Sequence, residues 1–183
     1  MKDLSLHILD IAENSINAGA TEIRIKTVED TRKNVLQLEV SDNGKGMDEE
    51  TLKNVRDPFF TTKACKRTGL GIPLLAQSAK ECNGALTIKT GKGEGTTINV
   101  YFQYDHIDRK PLGDIGTTLI VLIASKPDID FIYEHRRNDD SYLLNTADIK
   151  KELGDVPINS PEVIRIIKDD ISAWIIDTNN MIQ

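Results

Sequence analysis

The chain has 183 residues, of which 39% are hydrophobic and 28% are charged, a composition typical of an ordinary globular protein. All of the net charge of −6 falls in residues 104–183, which hold 9 Lys and Arg against 15 Asp and Glu, whereas residues 1–103 hold 14 of each. We therefore expect no nucleic acid partner, because binding a phosphate backbone needs a basic surface. A neutral half can still bind an anionic nucleotide where a few positive groups converge.

No segment approaches about 18 uninterrupted apolar residues, so we expect no membrane span. Acidic residues interrupt the N-terminal segment, so we expect no signal peptide either. The two cysteines, Cys65 and Cys82, form no disulfide framework and no metal-binding spacing. These features together predict a cytoplasmic protein.

The first predicted element is a helix over Leu4–Ala20. Its apolar residues gather on one broad face, and a narrow polar strip carries His7, Asp10, Glu13, Asn14 and Asn17. The helix contains no Lys or Arg, although a solvated helix face usually carries them in i,i+4 pairs, and Asn is a poor helix former. The strip therefore predicts side chains that face a ligand or a metal; the alternative is a helix edge packed against polar loops.

Two strands, Thr21–Val28 and Val35–Val40, follow the helix and are predicted to pair as a hairpin. The second strand leads into Ser41–Met47, where Asn-Gly and a second glycine turn the chain sharply. A short helix is predicted over Asp48–Val55, and a longer one over Ile72–Cys82 with Pro73 in its first turn. Two more strands are predicted over Ala85–Thr90 and Thr96–Phe102.

This order of elements predicts an α+β fold, a two-layer α/β sandwich, over residues 1–103. We expect residues 104–183 to form a small acidic α/β appendage. The predicted elements of the appendage are a helix over Ile115–Ser125 capped by Asp114, a hairpin of Ile129–His135 with Ser141–Leu144, a helix over Ala147–Leu153 capped by Thr146, and a helix from Pro161 to about Ile176 capped by Ser160. Ile115–Ser125 is also apolar enough for a buried strand. His106, Asp108 and Arg109 are predicted to tie the two halves together by salt bridges.

Four segments, in order and spacing, resemble the nucleotide-binding boxes of the GHKL superfamily, which includes gyrase-type topoisomerases, heat-shock chaperones, histidine kinases and mismatch-repair ATPases. Residues 13–21 (ENSINAGAT) resemble the N box of the mismatch-repair members. Residues 57–63 (DPFFTTK) and 68–72 (TGLGI) resemble the histidine kinases. The resemblance covers residues 4–103 and implies the Bergerat ATP-binding fold.

The resemblance implies ATP and Mg²⁺ as cofactors. It implies that Asn14 ligates the metal through its amide oxygen, that Asp42 accepts a hydrogen bond from the adenine amine, and that Asp10 is the candidate general base. The implied ATP-binding residues are Asn14, Asp42, Gly44, Gly46, Met47, Lys63, Arg67, Thr68, Gly69, Leu70, Gly71 and Thr97. Among these, Gly69 and Gly71 open a helix whose free N–H groups suit phosphate oxygens.

Two positions depart from the family pattern. ATP-hydrolysing members carry Glu where this chain carries Asp10, and the shorter side chain predicts slow or absent hydrolysis. The glycine box normally begins with glycine, but this chain has Arg67, which together with Lys63 and Lys66 would form a cationic lid. His7 could polarise a water or carry a phosphoryl group, but a helix-edge histidine hydrogen-bonded to a neighbour is the preferred interpretation.

Three functions remain open from the sequence. The first is a slow ATPase that acts as a nucleotide-dependent regulatory switch. The second is a stand-alone protein kinase of the anti-sigma-factor type, since no phosphoacceptor hairpin precedes His7 in this sequence. The third is a non-catalytic ATP sensor. In each case residues 104–183 are expected to bind a protein partner, whose identity and whose effect on the oligomeric state the sequence leaves open.

Overall fold

The computed structural model describes residues 2–55 and 71–180, with the side chains of residues 176–180 excepted. The helices are α1 (Leu4–Asn17), α2 (Glu49–Asn54), α3 (Gly71–Glu81), α4 (Ile115–Ser125), α5 (Thr146–Leu153) and α6 (Pro161–Asn180). The strands are β1 (Glu22–Asp30), β2 (Val35–Asp42), β3 (Ala85–Gly91), β4 (Gly95–Gln103), β5 (Asp130–Arg137) and β6 (Asp140–Asn145). Each helix and strand predicted within these described residues is present, with bounds that shift by a few residues.

The six strands form one sheet in the order β3-β4-β2-β1-β5-β6. The predicted hairpins of β1 with β2, β3 with β4 and β5 with β6 are all antiparallel. β1 and β5 instead run parallel, with Ile25 opposite Tyr133. Strands from the C-terminal region therefore extend the same sheet as those from the N-terminal region.

One face of the sheet is apolar and packs against the helices. Along β1 and β2, buried residues such as Ile23, Ile25, Leu36 and Leu38 alternate with more exposed ones, as expected for strands with one solvated face. α1 and α3 pack beside each other, and α4 packs between α1 and α6. The fold is thus the predicted two-layer α/β sandwich.

Capping side chains at their N-terminal ends fix where several helices begin. Asp3 caps α1 by accepting a hydrogen bond from Leu6 N at 3.1 Å, and Asp114 caps α4, as predicted, by accepting from Thr117 N at 2.8 Å. The strongly apolar residues 115–125 form a helix rather than the alternative strand. The predicted cap of α5 is wrong, because Asn145 and not Thr146 caps this helix. Ser160 lies at the predicted N-cap position of α6, where its carbonyl accepts from Ile164 N, but its buried hydroxyl has no hydrogen-bond partner among the described residues.

Among the described residues, His106, Asp108 and Arg109 do not form the predicted salt bridges between the two halves. The contacts of Arg109 and His106 are local: the guanidinium donates to the Tyr104 carbonyl, and the imidazole lies 3.9 Å from the Asp108 carboxylate. Two backbone hydrogen bonds join the start of α1 to the segment before α4, because Leu4 N donates to Pro111 O and Ser5 N donates to Leu112 O. Ion pairs join the halves elsewhere, such as Lys26 with Glu134 at 2.8 Å. The division of the chain near residue 103 itself stays a prediction.

Candidate nucleotide-binding site

Two polar side chains of α1 lie one helical turn apart on the predicted strip. Asp10 and Asn14 are both half-buried, whereas Glu13 and Asn17 on the same helix are exposed. Neither the Asp10 carboxylate nor the Asn14 amide makes a side-chain hydrogen bond or ion pair with another residue that the structure describes. Buried or half-buried polar groups normally have a partner, so the two side chains are candidates for contact with a ligand.

The Asp10 carboxylate lies directly against the first residue of α3. A methyl group on Gly71 would overlap Asp10 Oδ2 and would lie 2.7 Å from its Cγ. A side chain at position 71 would therefore displace the Asp10 carboxylate from this contact. The N-terminal end of a helix carries a partial positive charge and unpaired N–H groups, which attract anions. α3 thus brings a place for phosphate oxygens next to the Asp10 carboxylate.

Two donors hold the Asp42 carboxylate at the end of β2. Ser15 Oγ donates to Asp42 Oδ2 at 2.6 Å, and Gly44 N donates to Asp42 Oδ1 at 2.9 Å. A carboxylate has about four acceptor positions, so Asp42 can accept further hydrogen bonds. Its side chain is fixed in orientation and half-exposed, as an acceptor for a ligand N–H group should be.

The turn after β2 packs tightly on the loop between β3 and β4. Gly46 has a φ of +65°, and a methyl group there would overlap Gly91 O. Met47 N donates to Thr90 Oγ1 at 2.9 Å, and the same hydroxyl donates to Gly95 O at 2.8 Å. The backbone of this turn is therefore held in one conformation beside Asp42.

A match to a protein-family model identifies the family of this chain. Residues 2–106 match the model described as the histidine kinase-, DNA gyrase B-, and HSP90-like ATPase family. The chain belongs to this family. Its GHKL ATP-binding domain therefore contains α1, the turn after β2 and the start of α3.

Curated relatives are similar over part of this GHKL domain. The chain is 42% identical over 89 residues to the sensor protein kinase FleS of Pseudomonas aeruginosa, a match of 49% of this chain and 22% of FleS. It is 41% identical over 63 residues to sporulation kinase C of Bacillus subtilis, a match of 34% of this chain and 14% of that kinase. The chain thus spans less than a quarter of each relative.

Solved GHKL-like structures agree with the fold. The N-terminal domain of a DNA repair protein superposes with a TM-score of 0.56 at 18% identity, covering 79% of this chain and 53% of that one. The Aquifex aeolicus MutL ATPase domain complexed with ADP superposes with a TM-score of 0.50 at 16% identity, covering 79% and 63%. At these identities the likeness shows the fold alone.

Thr97 does not share a face of the GHKL sheet with Asp42. β4 pairs with β2 so that Thr96 lies opposite Asp42 and Thr97 lies opposite Ser41. Neighbouring residues of a strand point to opposite faces, so Thr96 is on the Asp42 face and Thr97 is on the other. The Thr96 hydroxyl lies 3.0 Å from Thr90 Oγ1. Thr96, and not the predicted Thr97, therefore places its hydroxyl on the same face as Asp42.

His7 lies on the buried side of α1 and not at its edge. It is 1% exposed, and neither ring nitrogen has a hydrogen-bond partner among the described residues, so the predicted hydrogen bond to a neighbour is wrong. Burial lowers the pKa of His7 to about 4, with a further lowering from the charge of Lys110 and an opposing effect of the Gly71 backbone. His7 is therefore neutral at pH 7.

Five predicted ATP-binding residues lie outside the described residues: Lys63, Arg67, Thr68, Gly69 and Leu70. Cys65 also lies outside them. The described sites are Asp10, Asn14, Asp42, the turn glycines, Met47 and Gly71. Their assignment to ATP and metal stays a prediction.

The sequence analysis missed three side chains that hold the GHKL site. Ser15 orients Asp42, Thr90 fixes the turn, and Asn43 Oδ1 accepts from Thr21 N at 2.8 Å and Glu22 N at 3.0 Å. Ser15 was detectable, because a serine next to Asn14 interrupts the apolar face of α1. Thr90 gave no signal, since threonine is common in strands.

The part of the chain that the structure describes contains no helix long and apolar enough to cross a membrane. It also contains no group of three or more His, Cys, Asp or Glu side chains arranged to bind a metal. A metal held by protein side chains alone is therefore not supported among these residues. A single amide ligand such as Asn14 suits Mg²⁺, which usually keeps several waters and takes its other oxygens from substrate phosphates.

Proposed function

We propose that this protein binds ATP with Mg²⁺, hydrolyses it slowly and acts as a nucleotide-dependent regulatory switch. The observation that carries the proposal is the contact of Asp10 with Gly71, at the helix end suited to phosphates. A carboxylate beside bound phosphates can orient a water and accept its proton. The shorter side chain of Asp, compared with Glu, is the reason for the slow rate.

The chemistry of the other side chains supports the same proposal. Asp42 is held as an acceptor by Ser15 and Gly44, and an acceptor favours adenine, which presents an amine, over guanine, which presents a carbonyl. Asn14 lies one turn after Asp10, and its amide oxygen would ligate Mg²⁺. An ion held by Asn14 would help to neutralise the negative charge of the phosphates. We further propose a cytoplasmic location and a protein partner for residues 104–183.

A second candidate function is phosphoryl transfer to a partner protein. It is favoured by the identity of 41–42% to two proteins that are named as kinases, FleS and sporulation kinase C. In that case the γ-phosphate would pass to a side chain of the partner instead of to water. Asp10 would then accept the proton of the attacking group.

The test uses γ-labelled ATP and Mg²⁺ with the full chain, and follows nucleotide binding, released phosphate and protein-bound label together. Asp10→Asn is compared with Glu13→Gln, which changes an exposed acid on the same helix. Asn14→Ala is compared with Asn17→Ala, which removes an exposed amide. We expect Asp10→Asn to lose phosphate release and Asn14→Ala to lose the Mg²⁺ dependence of ATP binding, while both controls behave as wild type.

The outcomes separate the candidates. Phosphate release that survives Asp10→Asn would contradict Asp10 as the base. ATP binding without release or label would leave the kinase and the non-catalytic sensor, and an added partner that takes up the label would establish the kinase. Failure of the wild-type chain to bind ATP would overturn the proposal.

A further inference from the structure

A cavity of about 180 Å³ lies at the end of the sheet remote from Asp42. Asp42 pairs with Ile23 near the start of β1, whereas Glu29, which lines the cavity, is six residues further along the same strand. At about 3.3 Å per residue, the two places are roughly 20 Å apart. The cavity is therefore separate from the nucleotide site.

Three polar side chains in the wall form a chain of hydrogen bonds. The Tyr133 hydroxyl lies 2.9 Å from His135 Nδ1, and His135 Nε2 lies 2.9 Å from Glu29 Oε1. Tyr133 is 1% exposed and His135 is 4% exposed. Both ring nitrogens of His135 are therefore paired, Nδ1 with the phenol and Nε2 with the carboxylate.

Glu29 is ionised at the end of this chain. Burial alone would raise the pKa of Glu29, but the hydrogen bond from His135 and the charges of His135 and Arg137 hold it below its usual value. One of its oxygens bonds to His135, and a carboxylate has further acceptor positions. Glu29 can therefore accept a hydrogen bond from a cationic group in the cavity.

A positive charge lies beside this negative one. Arg137 also lines the cavity and is the register partner of Glu29 across the parallel pair of β1 and β5. A guanidinium has five N–H donors, so it can take a carboxylate ligand in addition to contacts within the protein. A ligand with both charges is complementary to this pair, whereas a ligand with one charge would be repelled by one member.

The other described residues of the wall are apolar. They include Leu112, Ile115, Ile175 and the indole of Trp174, whose ring centre lies 4.5 Å from that of His135. The volume is below the roughly 300–1,000 Å³ of sites for drug-sized molecules. The cavity therefore suits a molecule of amino-acid size and excludes a nucleotide.

We propose that this cavity binds a small zwitterion, a free α-amino acid with an apolar side chain. Its ammonium group bonds to Glu29, its carboxylate bonds to Arg137, and its side chain packs against Leu112, Ile115 and Trp174. The inference is independent of the proposed ATPase, because no step of it uses the nucleotide.

Trp174 is the single tryptophan of the chain, so its fluorescence reports on the cavity alone. The full chain, without nucleotide, is titrated with L-leucine and with two analogues that each lack one charge, 4-methylpentanoate and 3-methylbutylamine. We expect a saturable change in Trp174 emission with leucine and at least tenfold weaker binding of each analogue. Valine, isoleucine, methionine and phenylalanine are titrated in parallel to find the preferred side chain.

Variants of Glu29 and Arg137 test whether these two side chains bind the charged groups of the ligand. Glu29→Gln and Arg137→Gln should each weaken leucine binding at least tenfold, whereas Glu134→Gln should not, because Glu134 is on the other face of β5 and pairs with Lys26 at 2.8 Å. Circular dichroism verifies that each variant is folded; if one is not, the two analogues decide. An analogue that binds as tightly as leucine would overturn the proposal. So would the absence of a saturable response to all five amino acids up to about 10 mM, and the hydrogen-bonded chain would then be structural.

Discussion

The two ends of β1 carry polar groups in opposite situations. Near its start, Asp10 and Asn14 make no side-chain hydrogen bond with a described residue, and Asp42 is held with acceptor capacity left over. Near its other end, Tyr133, His135 and Glu29 bond to one another, and Trp174 packs over the imidazole. One end leaves Asp10 and Asn14 without a partner among the described residues, and the other pairs Tyr133 and His135 with each other inside the protein. Substitutions of these residues should therefore differ in what they change, ATP affinity at the first end or stability at the second.

The largest expected effect is at the turn that frames the nucleotide end. Gly46→Ala should lower the free energy of unfolding by about 3 kcal/mol and abolish tight ATP binding, because the new methyl group overlaps Gly91 O at a positive φ. Gly93→Ala is the matched control: its φ is +82°, but no atom lies within 4 Å of the added methyl group. The free energy of unfolding of Gly93→Ala should fall by only about 1 kcal/mol. Urea denaturation measures both variants, and an equal fall in their free energies of unfolding would mean that crowding at Gly46 is unimportant.

His7 makes α1 sensitive to acid. The pKa of His7 is about 4 in the folded protein against 6.5 in the unfolded chain, so the unfolded chain binds more protons between these values. The contribution of neutral His7 to stability is fully present above pH 6.5. The free energy of unfolding should fall by about 3 kcal/mol as the pH drops to 4. Urea denaturation between pH 4 and 6.5 should show that the free energy of unfolding of His7→Phe depends less on pH than that of the wild type. Leu6→Ala, which changes an exposed neighbour, should keep the wild-type pH dependence. An unchanged slope in His7→Phe would contradict the burial of a neutral imidazole.

Asp42→Asn tests the ligand end without disturbing the core. We expect ATP affinity to fall roughly ten- to a hundredfold, because a hydrogen bond to a charged group contributes about 1.5–3 kcal/mol, while the urea midpoint changes little. Asp48→Asn is the control on the same segment: Asp48 caps α2 through Thr51 N, and Asn caps equally well. Equal ATP affinity in both variants would remove Asp42 as the adenine acceptor.

Tyr133→Phe tests the other end. It leaves the buried His135 Nδ1 without its partner and should lower the free energy of unfolding by about 1.5 kcal/mol, with ATP affinity unchanged. Tyr142→Phe removes a more exposed hydrogen bond to Asp170 and should lower the free energy of unfolding by less than Tyr133→Phe does. A loss of ATP affinity in Tyr133→Phe would show that the two ends are coupled, and the contrast between them would fail.

The sequence predicted the N-terminal sheet and its helices well, because local patterns specify them: alternation in β1 and β2, and a glycine turn beside Asp42. It did not predict that β5 lies beside β1, since a parallel partner about a hundred residues away leaves no local signature. It also missed the Glu29–His135 contact for the same reason. His7 was misassigned because a helical projection shows a face but not how deeply that face is buried.

The parallel pairing of β1 with β5 also has a consequence for the folding of the chain. β1 obtains one neighbour from residues 35–42 and the other only from residues 130–137. At a synthesis rate of about 5–20 residues per second, this second neighbour follows roughly 5–20 s after β1 leaves the ribosome. During that interval β1 has an exposed hydrogen-bonding edge, the kind of edge that pairs with other chains and aggregates. The same edge would be permanent in a fragment cut after residue 103, so the C-terminal region completes the sheet that the nucleotide site depends on.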